Sequence, residues 1–200
     1  MPFIAILGCD GSGKSAVIAA IEAEWCRRNQ PLRRGHWRPG TGSALAMAAA
    51  SDPHGMAPRG GVGSFLKLGW LWYNWWRGWW CGLRGAARGG LVVFDRYHAD
   101  LLVDPLRYRY GGPEVLARWA SRWMPQPDLV IFLDADEGVL LSRKQEVSRD
   151  ALAKARGRYH RLLGELPNGR VVDAARSLDE VAAEVIGLID GWTRSKHEGG

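Results

Sequence analysis

Long uncharged apolar runs are missing from this chain. Nowhere do roughly 18 such positions follow one another, which excludes a helix crossing a bilayer. Cysteine is scarce: Cys9, Cys26 and Cys81 are odd in number and lack metal-ligand spacing. They are read as free thiols in a reducing compartment rather than as a disulfide framework. The first residues, "MPFIAILGCDG", have no basic start and meet an acid at position 10, so no secretory signal is expected and the location is read as cytoplasmic. Internal repeats, low-complexity linkers and DNA- or RNA-binding motifs are also lacking. Yet 27 Lys and Arg against 21 Asp and Glu give a net charge of +6. Without a nucleic-acid motif, that charge favours small phosphate-bearing ligands over nucleic acid. Two hundred residues suit one domain with a real core.

What is present is alternation. Continuous apolar runs at Phe3–Leu7, 91–94 ("LVVF") and 129–133 ("LVIFL") have the character of strands buried on both faces. Weaker strands are expected at Arg33–Trp37 and 170–172. Helical patterns occupy 14–29, 113–123, 136–147, 149–165 and 178–193. Residues 50–64, rich in Gly and Pro, are read as a mobile loop and "SKHEGG" as a frayed tail. The expected architecture is α/β: a P-loop NTPase three-layer sandwich with a five-stranded parallel sheet, helices on both faces and a helical lid. Ligands should then bind at the carboxyl ends of the strands. The whole of 1–200 is read as one domain, with a lid near 142–158 and an insertion near 43–88.

"GCDGSGKS" at 8–15 fits G-x-x-x-x-G-K-[ST], with a strand before it and a helix after it. Gly8, Asp10, Gly11, Ser12 and Gly13 form the loop whose backbone N–H groups would curl around phosphates at a helix N-terminus. Lys14 would reach the β- and γ-phosphates, and Ser15 would hold Mg²⁺. A P-loop alone specifies nucleotide, not reaction. At the other strand ends, "FDRYHAD" supplies Asp95, Arg96 and Tyr97, an acid for Mg²⁺ or a hydroxyl proton beside an anion clamp. "HWRPG" offers Arg38 before a chain reversal. The segment 138–163 carries Arg143, Arg149 and Arg156, and "VVDAARS" places Asp173 and Ala174 after the last strand.

Together these motifs resemble the thymidylate kinases across 2–42, 88–97 and 128–190. The resemblance implies ATP and Mg²⁺ as donor and cofactor, and Asp10 facing an acceptor hydroxyl. It further implies Arg38 and Arg96 on an acceptor phosphate, Asp95 positioning Mg²⁺ and Ala174 beside the adenine. The P-loop holds no arginine, so catalytic positive charge would come from the lid, with Arg143, Arg149 and Arg156 as candidates. A solvated helix face is the plainer reading of any one of these arginines. Asp134 is read as N-capping chemistry ahead of a helix rather than as a Mg²⁺ ligand.

The acceptor side departs from that family. "HADLLVDPLRYRYGGP" replaces the usual base-contacting segment, and its acids and arginines, with Asp104 and Arg107 foremost, suit a polyhydroxylated or phosphorylated acceptor. Asp104 also reads as a turn residue before Pro105. Chains with a "DRY..DLLVDP.RYRYG" stretch resemble members of surface-polysaccharide loci, which implies a sugar or glycan kinase. dTMP or a related monophosphate is the family default, and a non-catalytic ATP-binding regulator is the alternative of another class. Six of the eleven tryptophans fall within "GWLWYNWWRGWW" at 69–80. At helical spacing Trp72, Trp75, Trp76, Trp79, Trp80 and Leu83 share one side, expected to pack on the sheet or on a dimer mate. Trp70, Asn74 and Arg77 fall opposite and are read as candidate acceptor contacts. An interfacial helix on a membrane is a further reading, and glycines at 69, 78, 82 and 85 predict local breaks.

Overall fold

A computed structural model of the protein describes residues 2–37, 60–105, 107–144 and 148–198. Five strands form one all-parallel sheet: β1 Phe3–Gly8, β2 Leu32–His36, β3 Leu91–Asp95, β4 Leu129–Asp134 and β5 Gly169–Asp173. Their order is β2-β3-β1-β4-β5, with Ile4 of β1 aligned to Val93 on one side and Leu129 on the other. The uninterrupted apolar runs lie in the three central strands, where both faces are covered. The edge strands β2 and β5 are partly exposed and carry arginines. From β1 the chain passes through a helix to β2 on one side, and from β3 it crosses β1 to reach β4 on the other. The loop after β1 therefore sits at the switch point of the sheet, where a crevice opens at the carboxyl ends.

The helices are α1 Lys14–Arg27, α2 Gly61–Gly78, α3 Arg84–Gly89, α4 Asp100–Val103, α5 Glu114–Arg122, α6 Glu137–Arg143, α7 Arg149–Gly164 and α8 Leu178–Glu198. α1 and α8 pack together, tied by Arg28 Nη1 to Asp190 Oδ1 at 2.7 Å, while α2, α4, α5 and α7 make a second contiguous set around the sheet. The result is the α/β fold of a P-loop kinase.

Three expectations need correction. The segment read as a loop over 50–64 is helical from Gly61 onward, its earlier part lying outside the described residues. The tail read as frayed continues α8 to Glu198. The expected breaks in the tryptophan helix are instead one widened π-helical turn at Trp79–Leu83, which joins α2 to α3 without interrupting the rod. Gly82 in that turn lies so near β2 that an added Cβ would meet Arg33 Nη1 at 2.9 Å.

The expected packing of the whole tryptophan side on the sheet is also corrected. The buried stripe of α2 is Ser64, Leu68, Leu71 and Trp75. Trp79 packs partly against the core at 5.7 Å from Phe3, whereas Trp72 and Trp80 are exposed. Trp75 is fully buried, 5.0 Å from Phe94 and 4.5 Å from Tyr97 between ring centroids. One indole anchors the helix, and most of the others do not touch the sheet.

Candidate active site

The loop from Gly8 to Gly13 turns tightly between β1 and α1. Gly11 and Gly13 adopt φ of 87° and 82°, a left-handed conformation that side-chain-bearing residues resist. A Cβ on Gly11 would stand 2.7 Å from the Leu140 carbonyl oxygen, and one on Gly8 would meet Leu133 O at 3.0 Å. Both positions exclude larger residues on space alone. Lys14 opens α1, and its ammonium donates to Gly8 O and Cys9 O, each at 2.8 Å, and to Ser12 Oγ at 3.4 Å. All three of its protons are thus held by the loop itself. Burial, with the charge of Arg96 nearby, brings the Lys14 pKa from 10.5 to about 8. Burial likewise pushes the Cys9 thiol up to about 12, so it is an inert part of the loop. Ser15 is exposed at the first turn of α1.

Asp10 is gripped from both sides. Arg96 Nη2 donates to Oδ1 at 2.5 Å and Arg107 Nη1 to Oδ2 at 2.9 Å. Burial alone would favour the neutral acid, but the two guanidinium groups hold the carboxyl far below its ordinary range. Arg96 itself has φ of 66°, rare for a bulky residue, and its backbone N–H is tied to Ile6 O at 3.0 Å. The guanidinium also reaches Asp100 Oδ2 at 3.3 Å. Asp100 is fully buried and accepts from Tyr159 Oη of α7 at 2.9 Å and from Tyr108 Oη at 3.4 Å. Desolvation raises the Asp100 pKa, opposed by Arg96 and the Tyr159 hydroxyl. Tyr108 in turn stacks on Trp37 at 4.6 Å, just past the end of β2. One network therefore links the P-loop, the end of β3, the 104–110 loop and α7.

A cleft of about 280 Å³ opens beside it, lined by Gly8 to Asp10, Arg96, Asp104, Arg107, Lys154, Arg158 and Tyr159 among others. Asp95, at the end of β3, is buried with Oδ1 lacking any hydrogen-bond partner and Oδ2 3.8 Å from Arg34 Nη2. Asp134 does not cap a helix as the sequence suggests; the N-cap of α6 is Asp136, with no side-chain bond. Instead Arg156 clasps Asp134 through two bonds of 2.8 and 3.0 Å, and His160 Nε2 lies 2.9 Å away. Burial resists ionisation of Asp134, yet these bonds carry its pKa below the usual value. Arg156 further donates to Glu137 Oε1 at 2.5 Å. Arg143 donates to Ala174 O at 2.8 Å, and Ala174 N donates to Asp134 O at 2.6 Å. Arg149 is exposed at the start of α7.

No family model matches the sequence. Among curated proteins, a probable thymidylate kinase of Pyrobaculum aerophilum is 28% identical across 98% of this chain and all of its own length. Probable thymidylate kinase 1 of Saccharolobus solfataricus is 31% identical over 105 residues, 50% of this chain and 54% of that protein. The chain is thus similar to curated thymidylate kinases. A thymidylate kinase of Leifsonia xyli agrees, at 32% identity over 121 residues, 52% of this chain and 55% of its own. The matched region thus spans about half the length of two of these relatives and the whole of the third.

Tertiary structure gathers Asp10, Arg96 and Arg107 at the β1–β3 edge, with Asp104 on the cleft wall and Lys14 held within the loop itself. Asp104 also plays the turn role: its Oδ1 accepts from Arg107 N at 3.1 Å. Other candidates are placed elsewhere. Arg38 lies outside the described residues. Tyr97 is buried in the aromatic core beneath α2, its hydroxyl without a partner. Trp70, Asn74 and Arg77 do not line the cleft; Asn74 Nδ2 donates to its own helix at Trp70 O, 2.7 Å. Arg158, one of the basic residues of the lid segment, lines the cleft, as do Tyr159 and Lys154, which were not singled out. Only docking of α7 brings them there, and no local spacing signals it.

The residues suit a magnesium nucleotide. Gly13, with open space where a side chain would stand, leaves the loop bare where phosphates would lie, and the orphaned Asp95 Oδ1 is an acceptor in search of a cation or its water shell. Among the described residues no three His, Cys, Asp or Glu side chains cluster as a metal site. A cation here would therefore need phosphate oxygens as partners, with Ser15 and Asp95 as the protein's share.

Proposed function

We propose that this chain moves the γ-phosphoryl group of ATP to a small acceptor, a nucleoside monophosphate such as dTMP being the family default. The observation that carries the reading is the convergence of Asp10, Arg96 and Arg107 on one cleft at the switch point of the sheet, with Lys14 buried against the carbonyls of the loop that forms its wall. Lys14 would exchange its loop carbonyls for phosphate oxygens, and the α1 N-terminus would add positive potential. Mg²⁺ held by the nucleotide, Ser15 and Asp95 would supply neutralisation of phosphate charge. An acceptor anion would compete with Asp10 for Arg96 and Arg107. Among the lid candidates Arg143 and Arg156 already hold Ala174 O and Asp134, whereas Arg149 is exposed. We assign Arg149 the lid contribution. Catalysis in this arrangement is positioning and charge neutralisation, with little covalent work for the protein.

A second reading is favoured by one observation: the two guanidinium groups nearest the acceptor are already satisfied by Asp10. A neutral sugar hydroxyl would leave that pairing intact, and Asp95, with a free carboxylate oxygen, would serve as its base. A screen of ATP consumption with dTMP, other monophosphates and free sugars separates the two, with Lys14→Ala as control. Turnover dependent on a monophosphate supports the first reading, and turnover dependent on a sugar supports the second. ATP binding without product in every well would leave only a nucleotide-binding regulator.

A further inference from the structure

α2 spends few of its aromatic residues on the core. Phe65, Leu66, Trp70, Tyr73 and Trp80 are 65, 66, 50, 60 and 62% exposed. Neighbouring α5 adds Trp119 and Trp123, 62 and 59% exposed. The two helices are joined where Trp76 Nε1 donates to Trp123 O at 2.9 Å. The rings form a continuous surface: Trp72 to Trp76 at 6.2 Å, Trp76 to Trp80 at 6.5 Å and Trp119 to Trp123 at 6.3 Å. Scattered exposed apolar side chains are ordinary, but a contiguous aromatic face marks a contact surface.

Charge decides what it contacts. From 53 to 94 the sequence holds no Asp or Glu, and every charged side chain there is Lys or Arg. Arg84 lies over the Trp80 ring at 4.7 Å, at the edge of the aromatic surface. Arg77, Arg88 and, on α5, Arg122 are exposed. The acids that reach α5, Glu114 and Glu165, are both paired with Arg118, at 2.9 and 2.8 Å. A second copy docked through this face by a two-fold axis would bring together two surfaces of the same positive sign. An anionic bilayer answers both halves of the pattern: indole and phenol rings settle at the headgroup level, and guanidinium groups meet lipid phosphate. Among the described residues no helix is long and apolar enough to cross a membrane, so the contact is in the plane of the surface.

We propose that the α2–α5 face docks the protein onto anionic lipid bilayers. The test is flotation of the full chain, without nucleotide, on vesicles of phosphatidylcholine alone and of phosphatidylcholine with phosphatidylglycerol at about 70:30. Expected is binding to the anionic vesicles only, falling about tenfold or more between 0.1 and 0.5 M NaCl. Arg84→Glu with Arg88→Glu should weaken that binding about tenfold or more. Trp80→Ala with Trp119→Ala and Trp123→Ala should abolish both binding and tryptophan quenching by brominated lipid, with an unchanged circular dichroism melt showing that the fold survives. Three outcomes would overturn the proposal: no flotation with either vesicle; anionic binding retained by the triple tryptophan variant; or a concentration-dependent dimer, lost in that variant, without vesicle binding. The last assigns the face to a second copy. Kinase activity enters none of these readouts, so failure here leaves the proposed reaction standing.

Discussion

At the carboxyl end of β1 the polar side chains are paired close to saturation: Lys14 has three acceptors and Asp10 has two arginines. Immediately after Arg96 in sequence, beneath α2, the balance reverses. Trp75 Nε1, Tyr97 Oη and His98 Nε2 are buried without partners, within an aromatic cluster whose Tyr97 and His98 rings are 3.9 Å apart. His98 keeps one bond, Nδ1 to Ser121 Oγ at 2.8 Å, and burial lowers its pKa to about 3, so it stays neutral. The first region is organised by charge and will respond to phosphate and pH. The second is held by apolar area, and its determinants serve stability inside and contact outside. Asp95 and Tyr97 belong to one motif yet serve opposite regions.

The largest effect separating the regions is expected from Lys14→Ala. Turnover should fall by at least about 10³-fold with the melting temperature little changed, read by coupled ATP assay and calorimetry. Trp75→Ala should do the converse, costing about 3–5 kcal/mol in chemical denaturation because a fully buried indole leaves a cavity. Asp95→Asn should cut kcat by about 10²-fold while leaving stability near the parent value. A parent-like rate in that variant would remove Asp95 from the reaction.

Smaller effects sharpen the contrast. Because Lys14 sits at about 8 in the empty protein, phosphates that restore its charge must draw in a proton near that pH. Calorimetry in buffers of differing ionisation enthalpy at pH 8 should record uptake of about half a proton, and ATP affinity should weaken by up to about tenfold per pH unit above 8. The sign for stability follows. The folded state binds fewer protons than the unfolded chain between about 8 and 10.5, so this group's penalty is full below 8 and is relieved as pH rises through that window. The smallest change is Trp80→Gln, within about 0.5 kcal/mol of the parent, since that ring faces solvent.

The central strands, the P-loop and most helices were legible because their signals are local. An apolar run bounded by turns, or glycines ahead of Lys-Ser, carries its meaning within ten residues. Asp134 was misread because an acid before a helix looks like a cap, and only the docking of α7 shows that Arg156 and His160 claim it. The tryptophan helix was misjudged for a related reason. Periodicity groups side chains by angle, but how wide a stripe is buried depends on the surface the helix meets, and here that surface admits Trp75 and little more.

By itself, then, the order of residues determined the strand–loop–helix that would cradle a phosphate, the parallel sheet around it and the types of charge at the strand ends. Tertiary structure alone decided which of those charges meet. The reach of Arg107 to Asp10 spans 97 positions and that of Tyr159 to Asp100 spans 59. Pairings over such distances are selected by how whole elements pack, because no short-range backbone preference can encode them.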